Sequence, residues 1–265
     1  LPILLNISWT LHGNNCPKKF PHIIRTKINI AITFSNLFPT SKSSIYYRTI
    51  YYMDIIKQVH ITFVRHGTTT YNEEDRVQGS SDIPLSKKGI EDIQHIHLNN
   101  IYDAYYHSPL SRSRETLLGI MKKNGMYSHT ILESSLITER GYGIFEGLTK
   151  REIQETYPLY EEWLINENVK HSTIETIENV ILRIREFISK INSYHFKNIL
   201  AVTHSGFLYA LYKYITDTPL HLKPQDMDVS FPNGYAIGLT IYVYVNKMVL
   251  LLTIDEKTYE KIIIL

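Results

Sequence analysis

The sequence predicts an α/β protein in which strands and helices alternate in layers around a mainly parallel sheet. Three observations carry that prediction. Short apolar runs rich in β-branched residues recur along residues 53–265, and amphipathic stretches of helical period separate them. Two of the runs end in a histidine, at the carboxyl edge where a parallel sheet exposes its ligand crevice. With 265 residues and 43% hydrophobic content, the chain is long enough for one large domain or two small ones with a real core, and disorder over its whole length is excluded.

Val59-His60-Ile61-Thr62-Phe63-Val64 reads as a buried strand bounded by Gly67. Ser86 serves as the N-cap of a helix over 86–98, with apolar residues at 90, 93 and 96. A strand over 104–107, a helix over 111–123 and helices over 150–157 and 159–165 follow. Ile174, Ile177, Ile181, Ile184, Ile188 and Ile191 repeat at a spacing of three to four, which makes 173–191 a long helix whose stripe is core packing. A strand over 198–203, a helix from residue 207 and a final pair of strands over 235–244 and 248–254, hinged at Val245-Asn246-Lys247, complete the series. No internal repeat is visible.

Residues 1–52 differ from the rest. They hold six basic residues (Lys18, Lys19, Arg25, Lys27, Lys42 and Arg48) and no acid, leaving 22 basic against 26 acidic residues for 53–265. They show no sustained period of 2 or 3.6 and read as a poorly structured extension, either an organelle-type targeting segment or sequence upstream of a natural start at Met53. Residues 53–265 form the expected catalytic domain. Its acidic balance does not suit a nucleic-acid partner. The single cysteine, Cys16, excludes an internal disulfide framework and any multi-cysteine metal site, so a reducing, cytoplasmic compartment is the default. No run approaches the roughly 18 apolar residues of a membrane span.

Four blocks carry chemistry. Arg65-His66-Gly67-Thr68-Thr69-Thr70-Tyr71-Asn72 follows the first strand directly. There Arg65 offers a planar fork of donors for phosphate oxygens and His66 a nucleophile for phosphorus. Ser108-Pro109-Leu110-Ser111-Arg112-Ser113-Arg114-Glu115-Thr116 runs from a strand end into a helix start and places an arginine in the first turn, where an anion is favoured. Arg114 reads as a solvated surface charge. The glycine-rich stretch 136–148 has a carboxylate near each end, Glu139 and Glu146, either of which could protonate a leaving group; spacing alone does not choose. Val202-Thr203-His204-Ser205-Gly206 ends another strand with a second histidine. Two strand-end histidines with two arginines would make a cationic phosphate pocket in a mildly acidic domain. His95 and His97, two apart on a predicted helix, point in different directions and make no metal site. His107 reads as structural.

These four blocks, in this order, resemble the histidine phosphatase superfamily, also called the phosphoglycerate mutase-like family, over nearly all of residues 58–240. The stretch from Arg76 to Ser86, with Gly89, and the turn Phe231-Pro232-Asn233-Gly234 belong to the same resemblance. It implies a three-layer α/β/α sandwich and a small phosphorylated metabolite as substrate, with no metal or cofactor. By the resemblance His66 becomes phosphorylated, Arg65, Arg112 and His204 are its partners, and Glu139 is the acid. It also implies substrate contacts at Asn72, Gln78, Gly79, Arg140, Tyr142 and Ser205.

Glu139-Arg140, Tyr142-Gly143 and Lys150 resemble positions with which mutases hold a phosphoglycerate carboxylate. Mutases, however, carry a longer insertion with paired arginines that shields phosphohistidine. Here Glu139 and His204 are only 65 positions apart, and residues 166–171 offer Lys170 but no arginine pair. The expected activity is therefore that of a broad-specificity or sugar-phosphate phosphatase. A 2,3-bisphosphoglycerate-dependent mutase is the alternative, and a non-catalytic phospholigand binder would have lost one of the core groups. Assembly state, a homodimer included, stays open.

Overall fold

In the computed structural model the described residues are 53–98, 101–126, 130–160 and 172–265, with four short strands at Asn6–Ser8, Arg25–Thr26, Asn29–Ile32 and Tyr46–Tyr47. The chain divides into two compact units, Leu1–Gln58 with Tyr242–Met248 and Ile263–Leu265, and Val59–Ile241 with Val249–Ile262. In the first, Asn6–Ser8 pairs antiparallel with Asn29–Ile32, which also pairs with Tyr46–Tyr47, and Arg25–Thr26 pairs with Met53–Asp54. Strands of two to four residues are too short to print a sustained period, so the sequence pattern did not announce them.

The chemistry-bearing unit is built on a seven-stranded sheet. Its strands are β1 (Lys57–Arg65), β2 (Ala104–His107), β3 (Ile131–Glu133), β4 (Asn198–Thr203), β5 (Ala236–Val243), β6 (Lys247–Ile254) and β7 (Lys257–Ile264). They lie in the order β7-β6-β5-β1-β4-β2-β3. The pairs β1 with β4, β4 with β2, and β2 with β3 are parallel. β5 joins antiparallel, because the Arg65 amide at the end of β1 donates to the carbonyl of Tyr235 just before β5, and the Gly234 amide donates to the Arg65 carbonyl. Connections of three and two residues link β5, β6 and β7, lengths that only antiparallel neighbours allow. The sheet is therefore mixed: four parallel strands carry a three-stranded meander on one side. β7 was not expected from the sequence. Its Lys257-Thr258-Tyr259-Glu260-Lys261 half is mostly polar and alternates between exposed and half-buried, as an edge strand tolerates, and it lacks the continuous apolar run of a central strand.

The helices are α1 (Thr70–Glu73), α2 (Lys87–Asp92), α3 (Ser111–Lys123), α4 (Lys150–Thr156), α5 (Ile177–Ser193) and α6 (Ser205–Thr216). Side chains alternate across the sheet. Val64, Tyr105, Leu200 and Val202 share a buried cluster with Leu117, Ile120 and Met121 of α3. On the opposite face Phe63 lies between Phe187 of α5 and Phe207 of α6, with ring centroids 6.1 and 5.5 Å away. Tyr106 meets Phe187 edge-on at 5.5 Å. Helices thus cover both faces, and the three layers follow from the alternation of neighbours such as Phe63 and Val64.

The predicted helix over 86–98 is shorter than expected. Ser86 caps α2 by accepting from the Gly89 amide, but a 3-10 turn at Ile93–His95 ends the helical run. Asn124 explains the end, since its side chain donates to the Ile96 carbonyl and accepts from the Leu98 amide, holding 96–98 extended. The predicted helix over 159–165 lies outside the described residues beyond Tyr160. Phe63 is 1% exposed with an aromatic ring on either side. Phe63→Ala is expected to cost about 3–5 kcal/mol of unfolding free energy, read as a lowered urea midpoint.

Candidate active site

The sheet order places the site. β1 and β4 run parallel in register, Arg65 opposite Thr203, so the residues that follow, His66 and His204, emerge side by side. β2 lies on the other side of β4 and delivers Ser108 and the first turn of α3. From β1 the chain crosses toward β2, and from β4 it returns to β5 on the far side of β1. The two connections leave the sheet in opposite directions and open a crevice at the carboxyl ends of the strands.

His66 is 2% exposed and its Nδ1 lies 2.7 Å from the carbonyl oxygen of Gly67. A carbonyl only accepts, so Nδ1 carries the proton and Nε2 holds the free lone pair. The surrounding backbone is fixed: the Gly67 amide donates to Thr116 Oγ1, and Asn233 Nδ2 donates to the carbonyls of His66 and Gly67. Burial, then Arg112 and Arg65, push the His66 imidazolium well below the ordinary histidine range, against the bond to Gly67.

The His204 ring lies 5.0 Å from that of His66, and its Nε2 is 2.6 Å from Ser108 Oγ. The other contact of Ser108 Oγ is the Leu110 amide, itself a donor, so the serine proton goes to His204 Nε2. The neutral ring then carries its proton on Nδ1. That atom is buried and has no partner among the described residues, as is true of the Nε atoms of Arg65 and Arg112. Three buried donors are therefore left for an acceptor that the protein does not supply. Burial, then His66, Arg112 and Arg65, keep His204 well below the ordinary range. Arg112 is fully buried and fixed by bonds to the carbonyls of Ser81 and Gly79, and Arg65 donates to the Phe231 carbonyl. Arg114 is exposed, as expected for a surface charge.

Structure separates the two carboxylates that spacing left open. Glu146 accepts from the amides of Ser80 and Tyr142 and from the hydroxyls of Ser80 and Ser81. Burial would raise its pKa, but these bonds outweigh it and hold the carboxyl below its ordinary value. It clamps the 78–81 loop to the 142–147 loop; a Cβ at Gly79, where φ is +54°, would overlap it. Glu139 instead sits where its charge offsets the desolvation of both Arg65 and Arg112. Its Oε1 accepts from the Arg140 amide and lies so close to α6 that any Cβ at Gly206 would overlap it. Its loop is held from behind: Arg183 pairs with both oxygens of Glu175 and donates to the carbonyls of Leu136 and Thr138, while Thr203 Oγ1 donates to that of Ile137.

Of the other expected contacts, Arg140, Tyr142 and Ser205 line a cavity beside this centre. Gly79 supplies a carbonyl to Arg112, and Gln78 accepts from Thr69 Oγ1. The Oδ1 of Asn72 is occupied by the Thr69 amide and hydroxyl and by Asn233, in the cap of α1. Sequence reasoning gave no role to Ser108, Thr116, Glu175 or Arg183. Ser108 and Thr116 lie within the second block, whereas the Glu175–Arg183 pair has no local signal.

Buried donors of two arginines and a second histidine thus surround the free lone pair of His66, on a three-layer α/β fold. Residues 61–234 match the histidine phosphatase superfamily, branch 1, and the chain belongs to that family. It is 30% identical over 154 residues to the putative phosphoserine phosphatase 2 of Hydrogenobacter thermophilus, covering 56% of this chain and 74% of that protein. It is 28% identical over 195 residues to a 2,3-bisphosphoglycerate-dependent phosphoglycerate mutase of Buchnera aphidicola, covering 60% and 85%. Among solved structures, Bacillus stearothermophilus YhfR superposes with a TM-score of 0.59 at 24% identity, covering 71% of this chain and 95% of that one.

Two outcomes follow from the hydrogen bonds. Nitrogen-15 NMR at neutral pH should find His204 as the Nδ1–H tautomer, and Ser108→Ala should abolish that preference; an Nε2–H tautomer in the unaltered protein contradicts the assignment. For Glu146 the folded pKa is depressed, so its stabilisation is present above the unfolded carboxylate pKa and is lost as pH falls through the folded value. Glu146→Gln should lower stability at pH 7 by about 1–3 kcal/mol and flatten the acid limb of a denaturation series.

Proposed function

We propose that the protein is a phosphomonoester hydrolase that acts on small phosphorylated metabolites through phosphohistidine at His66. The observation that carries this reading is the Nδ1 bond to Gly67, which leaves a neutral Nε2 lone pair among otherwise unpartnered donors of Arg65, Arg112 and His204. As Nε2 forms its bond to phosphorus, the bond to the ester oxygen breaks. The two guanidiniums and His204 Nδ1–H hold the equatorial oxygens. Glu139 in its acid form gives its proton to the departing oxygen. The resulting carboxylate then takes a proton from water as that water attacks phosphorus, and the N–P bond breaks to release orthophosphate. The first turn of α6 adds the positive end of a helix to the same anion. No step requires a metal.

Phosphatase-named relatives and the short interval between Glu139 and His204 support hydrolysis over transfer. The mutase reading has its own support in the Buchnera relative and in Arg140, Tyr142 and Lys150 lining one cavity. Assay with 3-phosphoglycerate and 2,3-bisphosphoglycerate decides: release of orthophosphate supports hydrolysis, and interconversion of phosphoglycerates without it supports the mutase.

His66→Ala should lose at least about a thousandfold in kcat/KM on an aryl phosphate. Glu139→Gln should lose far more on alkyl than on p-nitrophenyl esters, because only a poor leaving group needs the proton; equal losses would remove Glu139 from that role. Because the His66 pKa is lowered, its neutral form persists into acid. The kcat/KM of the free enzyme should therefore show no loss with a midpoint near pH 6.5, and such a loss would contradict the buried, cation-flanked nucleophile.

A further inference from the structure

The anion centre accounts for only part of the space around Glu139. A cavity of about 330 Å³ adjoins it, reached past Ser205 and Gly206 in the first turn of α6, where Gly206 abuts Glu139. A leaving group protonated by Glu139 on its Gly206 side would enter this cavity. Its walls are largely aromatic and aliphatic, with Tyr142, Phe145, Ile153, Tyr209, Leu220 and Leu222 among the lining residues. The charged residues that line it among the described residues are Arg140, Lys150, Lys213 and Lys223; all are cations and none is a carboxylate.

Lys213 is the unusual member. It lies on α6 with 4% of its surface exposed, and its Nζ donates to the carbonyls of Leu220 and Leu222, 2.6 Å from each. An ammonium carries three donors, so these two bonds leave one over. Burying a cation without a carboxylate bonded to it is unfavourable, and desolvation lowers the Lys213 pKa to about 8, Arg140 adding to the fall and Glu178 opposing it. An anionic group entering the cavity would meet that remaining donor and relieve the unfavourable burial. Volume points the same way. At about 330 Å³ the cavity lies at the lower end of the roughly 300–1,000 Å³ range of ligand pockets, and a three-carbon phosphoester would leave much of its apolar wall facing water.

We propose that this cavity is the leaving-group site and that it takes a phosphomonoester whose alcohol has an aromatic or hydrocarbon body ending in an anionic group, held by Lys213 and Lys223. The proposal rests on the hydrolase reading above. The anionic group is a carboxylate or a second phosphate, and the test separates the two.

The test compares kcat/KM for four substrates on the full chain: phenyl phosphate, a carboxylated biphenyl phosphate, a biphenyl bisphosphate and 3-phosphoglycerate. One of the two anionic biphenyl esters should exceed both phenyl phosphate and 3-phosphoglycerate by tenfold or more, and which of them leads identifies the anionic group. Lys213→Met should cut the ratio of that ester to phenyl phosphate by about 10-fold to 100-fold. Lys213 also holds the turn after α6, so Lys223→Met, on a partly exposed side chain, provides a second reading and should lower the ratio several-fold. A ratio unchanged in both variants, or 3-phosphoglycerate as the best substrate, overturns the proposal while leaving the hydrolase reading intact. Failure to release orthophosphate from any of the four esters instead overturns the hydrolase reading, and this proposal with it.

Discussion

The parallel pairing of β1 with β4 is the constraint on which the site depends. Because Arg65 stands opposite Thr203, the two histidines that follow must leave the sheet together, and the backbone is committed before any side chain chooses a rotamer. The pairing is itself secured by packing on both faces: Val64 and Val202 close against α3, and Phe63 is held between α5 and α6. A one-residue slip would exchange these faces and turn the histidines away from each other. Register here is therefore enforced by the whole core.

That geometry brings two arginines and two imidazoles together in a buried place, which is electrostatically unfavourable. The protein resolves the conflict by keeping the imidazoles neutral and by placing Glu139 against the guanidiniums. Neutral histidines are the useful ones. Each has its tautomer fixed by one neighbour, His66 by the Gly67 carbonyl and His204 by the Ser108 hydroxyl, so that one offers a lone pair and the other a proton. The remaining buried donors, without partners among the described residues, describe the charge of what belongs between them.

Much of this was legible in the sequence, for local reasons. β2, α3 and β4 fall at their expected boundaries because short aromatic or β-branched runs and a 3.6 period are local signals. The histidines and Arg112 stood out because strand ends and helix starts are where an α/β fold exposes chemistry. β7 and the strands within residues 1–52 were missed because an edge strand or a two-residue pairing needs no apolar run. Spacing could not separate Glu139 from Glu146, because which of their loops lies against α6 is a tertiary fact. The same holds for Glu175 and Arg183, which hold the Glu139 loop from behind, and for Lys213, whose carbonyl partners lie in the turn after α6.

The central claim is that His66 attacks through Nε2 because Nδ1 is bound to its own neighbour's carbonyl. Phosphoenzyme trapped by rapid alkaline quench of a turning-over sample, with the phosphorylated peptide examined by phosphorus-31 and nitrogen-15 NMR, tests it directly. Phosphate on Nε2 of His66 is the predicted result. Phosphate on Nδ1, or on any residue other than His66, would contradict it.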